Sequence, residues 1–211
     1  MSEFLRNILR SARAERKTII LPEGDDPRIL GAVKIIIEEA AANLILLGDE
    51  VGIRSVLEEM EVDSSAISII NPADPGRIDP YAAEFYELRK HKGLTLENAR
   101  KLLKDSVYFG MMMLKLNQAD GLVAGVAHAT SNIIRPALQI IKTYPGINIV
   151  SSTFFIIKDE KILLFADCGL NENPDPEQLA EITLSTALTA KLFGLIPKIA
   201  LLCYSTRGSG K

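Results

Sequence analysis

The stretch KTIILPEGDDPRILGAVKIIIEEAAANLILLGDE, residues Lys17 to Glu50, determines the fold class. It contains an apolar run at Thr18 to Leu21, a helical pattern from about Pro27, and a second apolar run at Leu44 to Leu47. Short apolar runs separated by a helical segment are typical of parallel strands joined by a crossover helix. The stretch therefore predicts a wound α/β protein, with a parallel-rich sheet flanked by helices.

The same alternation continues towards the middle of the chain. Three Asp-Pro pairs predict helix starts, because the Asp oxygen can cap free amides and proline fits the first helical turn. The pairs are Asp26-Pro27, Asp79-Pro80 and Asp175-Pro176. Further strands are predicted at Ile67 to Ile70 and Gly121 to Ala124, and helices at Tyr81 to His91, Thr95 to Asn117 and about Ser131 to Lys142. Helical spacing assigns the run Met111 to Met113 to the core.

The pattern changes after Pro145-Gly146. The segment INIVSSTFFIIKDEKILLFADC, residues Ile147 to Cys168, has two apolar runs joined by a charged turn, which predicts an antiparallel hairpin. A helix from Pro176 to Phe193 and a strand from Ile199 to Cys203 are predicted to follow. We therefore expect a first α/β domain at residues 1–146 and the start of a second at residues 147–211. About sixty residues are few for an independent core of this type, so the second domain is expected to be incomplete.

Composition restricts the class of protein. The 211 residues are 47% apolar, and 24 basic against 27 acidic side chains leave a formal charge of -3, which disfavours nucleic-acid binding. No apolar stretch reaches the roughly 20 residues that span a bilayer, and the amino terminus lacks the pattern of a signal peptide. We expect a cytoplasmic protein that does not bind membranes. Cys168 and Cys203 suggest neither a disulfide nor a zinc site.

The chain ends on IALLCYSTRGSGK, residues Ile199 to Lys211, which resembles a phosphate-binding loop. The nucleotide-triphosphate motif G-x-x-x-x-G-K-[ST] fails, because a serine stands at its first glycine position and no hydroxyl residue follows the lysine. Small and hydroxylated residues can still turn their amides towards an anion, and the candidates are Ser205, Thr206 and Gly208. The alternative is a flexible polar tail after the last strand.

A second candidate site is the loop between the predicted strand ending at Ala124 and the next helix. Ligands of open α/β sheets bind where strands end and helices begin. The candidate residues there are His128, Thr130, Ser131 and Arg135. The alternative is that a hydroxyl only caps the helix, that the imidazole makes a local hydrogen bond and that the guanidinium is solvated.

Two further segments carry charge. Arg89, Lys90, His91 and Lys92 form a basic cluster at a predicted helix end, where cations are favoured by the helix dipole and could also recognise phosphate. The turn LPEGDDPR holds Glu23, Asp25 and Asp26, which we interpret mainly as turn and cap residues.

Together, five segments resemble consecutive stretches of the phosphate acetyl/butyryltransferase family, and the resemblance to phosphate acetyltransferases runs from about Thr18 to Lys211. The segments are LPEGDDPRILGAV, YELRKHKGLTLENAR, DGLVAGVAHATSNIIRPALQIIKTYPGINIVSSTFFI, FADCGLNENPDPEQLAEI and CYSTRGSGK. The resemblance implies an isocitrate/isopropylmalate dehydrogenase-like fold, with two α/β domains around an active cleft, and a homodimer. It also implies reversible acetyl transfer between coenzyme A and inorganic phosphate in acetate metabolism, with acetyl-CoA as substrate and neither a tightly bound cofactor nor a metal.

The resemblance carries roles to individual residues. Arg89 and Arg135 match arginines that handle coenzyme A and phosphate, and Arg135 is the expected catalytic residue. His128, Thr130 and Ser131 fall on a hydroxyl-bearing loop that is expected to bind substrate, although Ala129 stands where many relatives have serine. Ser205, Thr206 and Gly208 match the family's small-residue loop, beyond which relatives carry a Ser-Arg pair and an aspartate that activates the thiol.

Three alternatives remain open. The chain could be a catalytically incomplete fragment that binds coenzyme A or phosphate, or serves as a dimerisation module. It could also be a phosphate butyryltransferase. A nicotinamide-dependent dehydrogenase is disfavoured, because no G-x-G-x-x-G follows a strand and no cluster of metal-binding aspartates is present.

Overall fold

The computed structural model of the protein describes residues 2–65, 67–159 and 161–202. These residues form two compact units, Glu3–Lys142 and a second unit that begins at Thr143. The domain boundary expected between residues 146 and 147 stays a prediction.

The first unit alternates helices with short strands. Its elements are α1 (Glu3–Ala14), β1 (Thr18–Leu21), α2 (Pro27–Glu38), β2 (Asn43–Leu47), α3 (Glu50–Glu59), β3 (Ser68–Ile70), α4 (Pro75–Arg89), α5 (Leu96–Leu102), α6 (Ser106–Lys115), β4 (Gly121–Leu122) and α7 (Thr130–Pro136). A 3-10 turn, Lys90–Lys92, follows α4, and a π-helical turn, Ala137–Ile141, follows α7.

The four strands form one parallel sheet in the order β3-β2-β1-β4. Ile20 in the middle of β1 pairs with Ile45 of β2 on one side and with Leu122 of β4 on the other. The predicted α/β class is confirmed. The chain passes from β1 outwards to β3 and then returns to the other side of β1, so a crevice opens between the carboxyl ends of β1 and β4.

The core of this unit lies on both faces of the sheet. Ile20 and Leu47 belong to a cluster that includes Phe85 of α4 and Phe109 of α6. Leu21, Leu46 and other strand residues belong to a second cluster with Val33, Ile53 and Leu57 from α2 and α3. The predicted burial of Met111 to Met113 is confirmed, since these side chains are between 0% and 6% exposed. Each large apolar side chain buried in this way stabilises the fold by roughly 1.5–3 kcal/mol.

Close packing brings α6 onto the sheet. A Cβ atom at Gly110 would lie 2.6 Å from Leu122 Cδ1 and 3.3 Å from Ile20 Cγ2, so only a residue without a side chain fits there unchanged. This close approach holds the middle of α6 against side chains of β1 and β4.

One of the three predicted Asp-Pro helix starts is wrong. Asp26 and Asp175 do cap their helices, but α4 begins one turn before Asp79-Pro80, at Asp74-Pro75. Asp74 Oδ1 accepts a hydrogen bond from the Gly76 amide at 2.9 Å. The reason is local competition between two equivalent signals, and Asp79 instead pairs with Arg100 at 2.7 Å.

The single helix predicted over residues 95–117 is also wrong, because the chain breaks it into α5 and α6. Asp105 Oδ1 accepts hydrogen bonds from the amides of Val107 at 2.9 Å and Tyr108 at 3.1 Å and so caps α6. A side chain that satisfies these two amides begins a new helix rather than continuing the old one. The break places Asp105 at the carboxyl edge of the sheet.

The second unit contains β5 (Thr153–Lys158), β6 (Lys161–Ala166) and α8 (Pro176–Leu192). The predicted antiparallel hairpin and the helix after it are confirmed. The strand predicted at Ile199 to Cys203 is wrong for residues 199–202, which have no strand partner among the residues described and are exposed, and Cys203 lies outside the described residues. A strand needs a neighbour to satisfy its backbone groups.

Across the described part of the chain, no helix is long and apolar enough to cross a membrane.

Candidate functional site

The site is organised by a buried carboxylate just beyond β1. The Glu23 side chain is only 2% exposed and accepts hydrogen bonds from four successive amides of the loop after β4. Oε2 accepts from the amides of Gly125 at 2.9 Å and Val126 at 3.0 Å. Oε1 accepts from the amides of Ala127 at 2.7 Å and His128 at 2.9 Å. Gly125 has a φ of +124°, a conformation that favours glycine and curls the loop around the carboxylate.

This environment keeps Glu23 ionised. Burial by itself would raise the pKa of the carboxyl, but hydrogen bonds from His128 and from the amides of Gly125 to Ala127 outweigh it and lower the pKa from 4.5 to about 2. The charge is therefore present at every pH at which the protein would normally be handled.

The imidazole of His128 is held by the same carboxylate. Its Nδ1 lies 2.8 Å from Glu23 Oε1, and because an ionised carboxylate only accepts hydrogen bonds, Nδ1 carries the proton. Its Nε2 lies 3.9 Å from Oδ2 of Asp105, the residue that caps α6 with its other oxygen. The side chain of His128 is 24% exposed.

Arg28 of α2 holds the loop from a second direction. Its Nη2 donates to the Val126 carbonyl at 3.0 Å and pairs with Asp26 Oδ2 at 2.7 Å. The loop after β4 is thus bound to the residues after β1 in two ways: its amides donate to Glu23, and its Val126 carbonyl accepts from Arg28. The edge of the crevice is therefore preformed.

The turn predicted at Glu23 is present, since the Glu23 carbonyl accepts a hydrogen bond from the Asp26 amide at 3.0 Å. The interpretation is wrong for the Glu23 side chain, whose partners lie more than 100 positions along the chain. For Asp26 the interpretation is confirmed, since it accepts from the Arg28 amide at 2.9 Å. Asp25 accepts from the Asp49 amide at 3.1 Å and joins the ends of β1 and β2.

The hydroxyl residues of the loop lie at the start of α7. The N-cap position is Ala129 and carries no side-chain cap, so the alternative that Thr130 or Ser131 caps the helix is wrong. Both side chains are exposed, and neither hydroxyl has a hydrogen-bond partner in the described ranges.

The charges of Arg89 and Arg135 both act on one tyrosine, Tyr108, although the sequence places the two arginines 46 positions apart. Tyr108 of α6 is 8% exposed, and its hydroxyl donates to Gln139 Oε1 at 3.1 Å. Burial raises the pKa of Tyr108, and the positive charges of Arg135 and Arg89 both act on the hydroxyl to lower it. The negative charge of Asp105, like burial, raises the pKa of Tyr108.

The two arginines differ in exposure. Arg89 ends α4 and is half-buried, whereas Arg135 is exposed in the last turn of α7. Arg135 remains α-helical, and the change to a π-helical turn comes only after Pro136. In the rest of the basic cluster, Lys90 pairs with Glu87 at 2.5 Å, and His91 and Lys92 are exposed.

Neither Arg89 nor Arg135 has a carboxylate partner within the described ranges. Most of the other arginines of the first unit do form ion pairs: Arg13, Arg28, Arg54, Arg77 and Arg100. A guanidinium that is left unpaired beside a preformed crevice is available to an anionic ligand.

Two residues of this site, Asp105 and Tyr108, were missed by the sequence analysis. An N-cap signal was present in the Asp-Ser pair at residues 105 and 106, but the apolar spacing on both sides favoured a continuous helix. The predicted loop residues Ser205, Thr206 and Gly208 lie outside the described residues.

Two other features bear on what could bind. No group of His, Cys, Asp or Glu that could hold a metal ion is found among the described residues. A cavity of about 360 Å³ in the second unit has three carboxylates among its six lining residues, which disfavour an anionic ligand: Asp175, Glu177 and Glu181.

Known proteins resemble this chain along nearly all of its length. The profile of the family described as phosphate acetyl/butaryl transferase matches residues 3–211. The phosphate acetyltransferase of Thermoanaerobacterium thermosaccharolyticum is 46% identical over 98% of this chain and 64% of its own length. The phosphate acetyltransferase of Haemophilus influenzae is 47% identical over 98% of this chain, which covers 29% of that protein.

Solved structures agree. A phosphotransacetylase from Streptococcus pyogenes superposes with a TM-score of 0.88 and 40% identity, covering 100% of this chain and 65% of that one. The EutD phosphotransacetylase from Staphylococcus aureus superposes with a TM-score of 0.85 and 40% identity, covering 99% of this chain and 63% of that one. The chain thus spans less than two thirds of the length of each of these four proteins.

Proposed function

This chain belongs to the phosphate acetyl/butaryl transferase family, and on that premise we propose that the protein catalyses reversible transfer of an acetyl group between coenzyme A and inorganic phosphate, giving acetyl phosphate. Relatives named phosphate acetyltransferase, at 46% and 47% identity, support acetyl over butyryl as the group transferred. Coenzyme A and acetyl-CoA are substrates in this proposal, within acetate metabolism.

The observation that carries the proposal is that Arg89 and Arg135 have no carboxylate partner among the residues that the structure describes. Coenzyme A, inorganic phosphate and acetyl phosphate are all anions, and guanidinium groups bind phosphoryl oxygens in a two-pronged geometry. Arg135, which is exposed near the loop after β4, is assigned to the phosphate that is transferred. Arg89, which is half-buried at the end of α4, is assigned to coenzyme A.

The remaining assignments follow the loop and the chain end. His128, Thr130 and Ser131 contact substrate in this proposal, supported by their place between the carboxyl end of β4 and the exposed start of α7. Ser205, Thr206 and Gly208 complete the phosphate-binding set, supported by their sequence alone.

Acetyl transfer changes no oxidation state, so the reaction requires stabilisation of negative charge and no oxidant or reductant. In the direction of acetyl-CoA formation, the thiolate of coenzyme A attacks the carbonyl carbon of acetyl phosphate, the carbon–sulfur bond forms, and the bond to the phosphate oxygen breaks. Phosphate leaves with the electron pair, and its negative charge is stabilised by a guanidinium. The thiol of coenzyme A first releases its proton to solvent, because the thiolate is the nucleophile.

The first experiment measures release of free thiol from acetyl-CoA and phosphate by the purified chain. We expect turnover that Arg135→Ala abolishes and that Arg10→Ala, an exposed arginine of α1, leaves unchanged. Unchanged kinetics in Arg135→Ala for both substrates would contradict the assignment. Coenzyme A binding without turnover, measured by calorimetry, would instead support the alternative of a ligand-binding module.

We also propose that the protein is a cytoplasmic homodimer, supported by its family membership. Light scattering after size-exclusion chromatography should give twice the chain mass of 23.1 kDa. A mass of one chain at micromolar concentration would show that the dimerisation proposal does not hold for these residues.

A further inference from the structure

The amides of the loop after β4 are already occupied. Four successive N–H groups, from Gly125 to His128, all point to the two oxygens of Glu23. Such a concave run of amides is an anion-binding arrangement, and here the anion is a side chain of the protein itself. An incoming phosphate would have to displace a buried carboxylate to use these donors.

Glu23 also controls the protonation of one ring nitrogen. Because Oε1 accepts from Nδ1 of His128 at 2.8 Å, the neutral imidazole carries its proton on Nδ1 and leaves a lone pair on Nε2. The same Glu23 oxygen accepts hydrogen bonds from the His128 ring and from the His128 backbone amide, so the orientation of the ring follows that of the loop.

The surroundings of Nε2 favour a proton donor. Asp105 Oδ2 lies 3.9 Å away, beyond hydrogen-bond distance, and both groups are acceptors when the imidazole is neutral. A ligand group that carries a proton can interact with this pair of acceptors, whereas a fully deprotonated oxyanion is repelled.

We infer that Glu23 is a positioning residue, which holds His128 with Nδ1 protonated so that Nε2 accepts a hydrogen bond from a proton donor of the substrate. The acceptor role rests on the proposed function, whereas the fixed tautomer does not. Two substrates supply a donor, the P–OH group of hydrogen phosphate and the thiol of coenzyme A.

The tautomer is tested by nitrogen-15 NMR of the imidazole rings at a pH at which they are neutral. The chain has two histidines, so His91→Gln identifies the signals of His128. We expect wild type to be protonated on Nδ1 and Glu23→Ala to shift towards the Nε2-protonated form. Glu84→Ala, at an exposed residue of α4, is the matched control and should leave the tautomer of His128 unchanged. Protonation on Nε2 in wild type, or an unchanged tautomer in folded Glu23→Ala, would overturn the inference.

A second variant covers the case in which Glu23→Ala does not fold. Glu23→Gln keeps one oxygen, which should take the Oε1 position because three donors meet there and only two meet at Oε2. The amides of Gly125 and Val126 should then exchange faster with solvent, while those of Ala127 and His128 stay protected. An equal loss of protection from exchange at all four amides, or no loss at any of them, would contradict the arrangement.

The acceptor role is tested by titrating the chain with inorganic phosphate and, separately, with coenzyme A. The substrate that donates a hydrogen bond to His128 should shift the Nε2 signal. If neither phosphate nor coenzyme A shifts this signal, the acceptor role is refuted. In the activity assay, His128→Asn keeps a donor for Glu23 but has no group at Nε2, so we expect about a tenfold loss of kcat/KM. A fixed tautomer in a chain without turnover would leave the positioning role standing and count against the proposed function alone.

Discussion

Acid should weaken the first unit through Glu23. The folded structure lowers the pKa of this carboxyl from 4.5 to about 2, so the unfolded chain binds its proton more readily than the folded one. A group of this kind stabilises the fold fully above the unfolded pKa, and the stabilisation is lost as pH falls through the folded pKa.

The magnitude follows from the difference between the two pKa values. A lowering of about 2.5, at 1.36 kcal/mol for each pKa unit, corresponds to about 3 kcal/mol at pH 7. By pH 3, less than half of this remains, because the unfolded carboxyl is then protonated while the folded one is mostly ionised. The side chain is 2% exposed, so solvent screening reduces the figure little.

The assay is denaturant unfolding at pH 7, 5, 4 and 3, followed by the fluorescence of tyrosine. Glu23→Gln should be less stable than wild type at pH 7, and the difference should shrink between pH 5 and pH 3. Glu84→Gln, the control for the loss of one surface charge, should show no such change. A difference between wild type and Glu23→Gln that stays constant from pH 7 to pH 3 would refute the reasoning.

Three further predictions follow from other contacts. Arg89→Ala should raise the KM for coenzyme A more than that for a truncated thiol without nucleotide phosphates, and equal effects in steady-state kinetics would contradict the assignment. Gly110→Val should lower the free energy of unfolding by about 2 kcal/mol through overpacking against Leu122, whereas Gly31→Ala, in open space, should raise it by about 0.5–1 kcal/mol. Asp167→Asn should destabilise the second unit at neutral pH, because hydrogen bonds from Ser152, Asn171 and loop amides outweigh burial and hold the pKa of Asp167 below its usual range. This stabilisation is lost only as pH falls through the lowered pKa, so the difference in thermal unfolding between wild type and variant should be large at pH 7 and smaller at pH 2.

Much of the fold could be predicted because its signals are local. A strand in a parallel sheet is a short apolar run, and a helix end is marked by the side chain that caps it. These signals fail where two of them compete, as at Asp74 and Asp79, or where apolar spacing hides a cap, as at Asp105.

The candidate site was predicted in part. Arg89, Arg135 and His128 were identified because their residue types suit anionic substrates and because their motifs resemble one family. Tyr108, on which the charges of Arg89 and Arg135 both act, was missed, since a buried aromatic residue on an apolar helix face has the pattern of the core.

The sequence by itself determined the α/β class, the order of most elements and the family, since each depends on residues close together in the chain. Only the tertiary structure decided the role of Glu23, because its amide partners lie 102 to 105 positions away and meet it where β1 and β4 become neighbours. A lone acidic residue after a strand has the same local pattern whether it faces solvent or fills a nest of amides. The free energy that separates the two comes from burial and hydrogen bonds, which exist only once the sheet has formed.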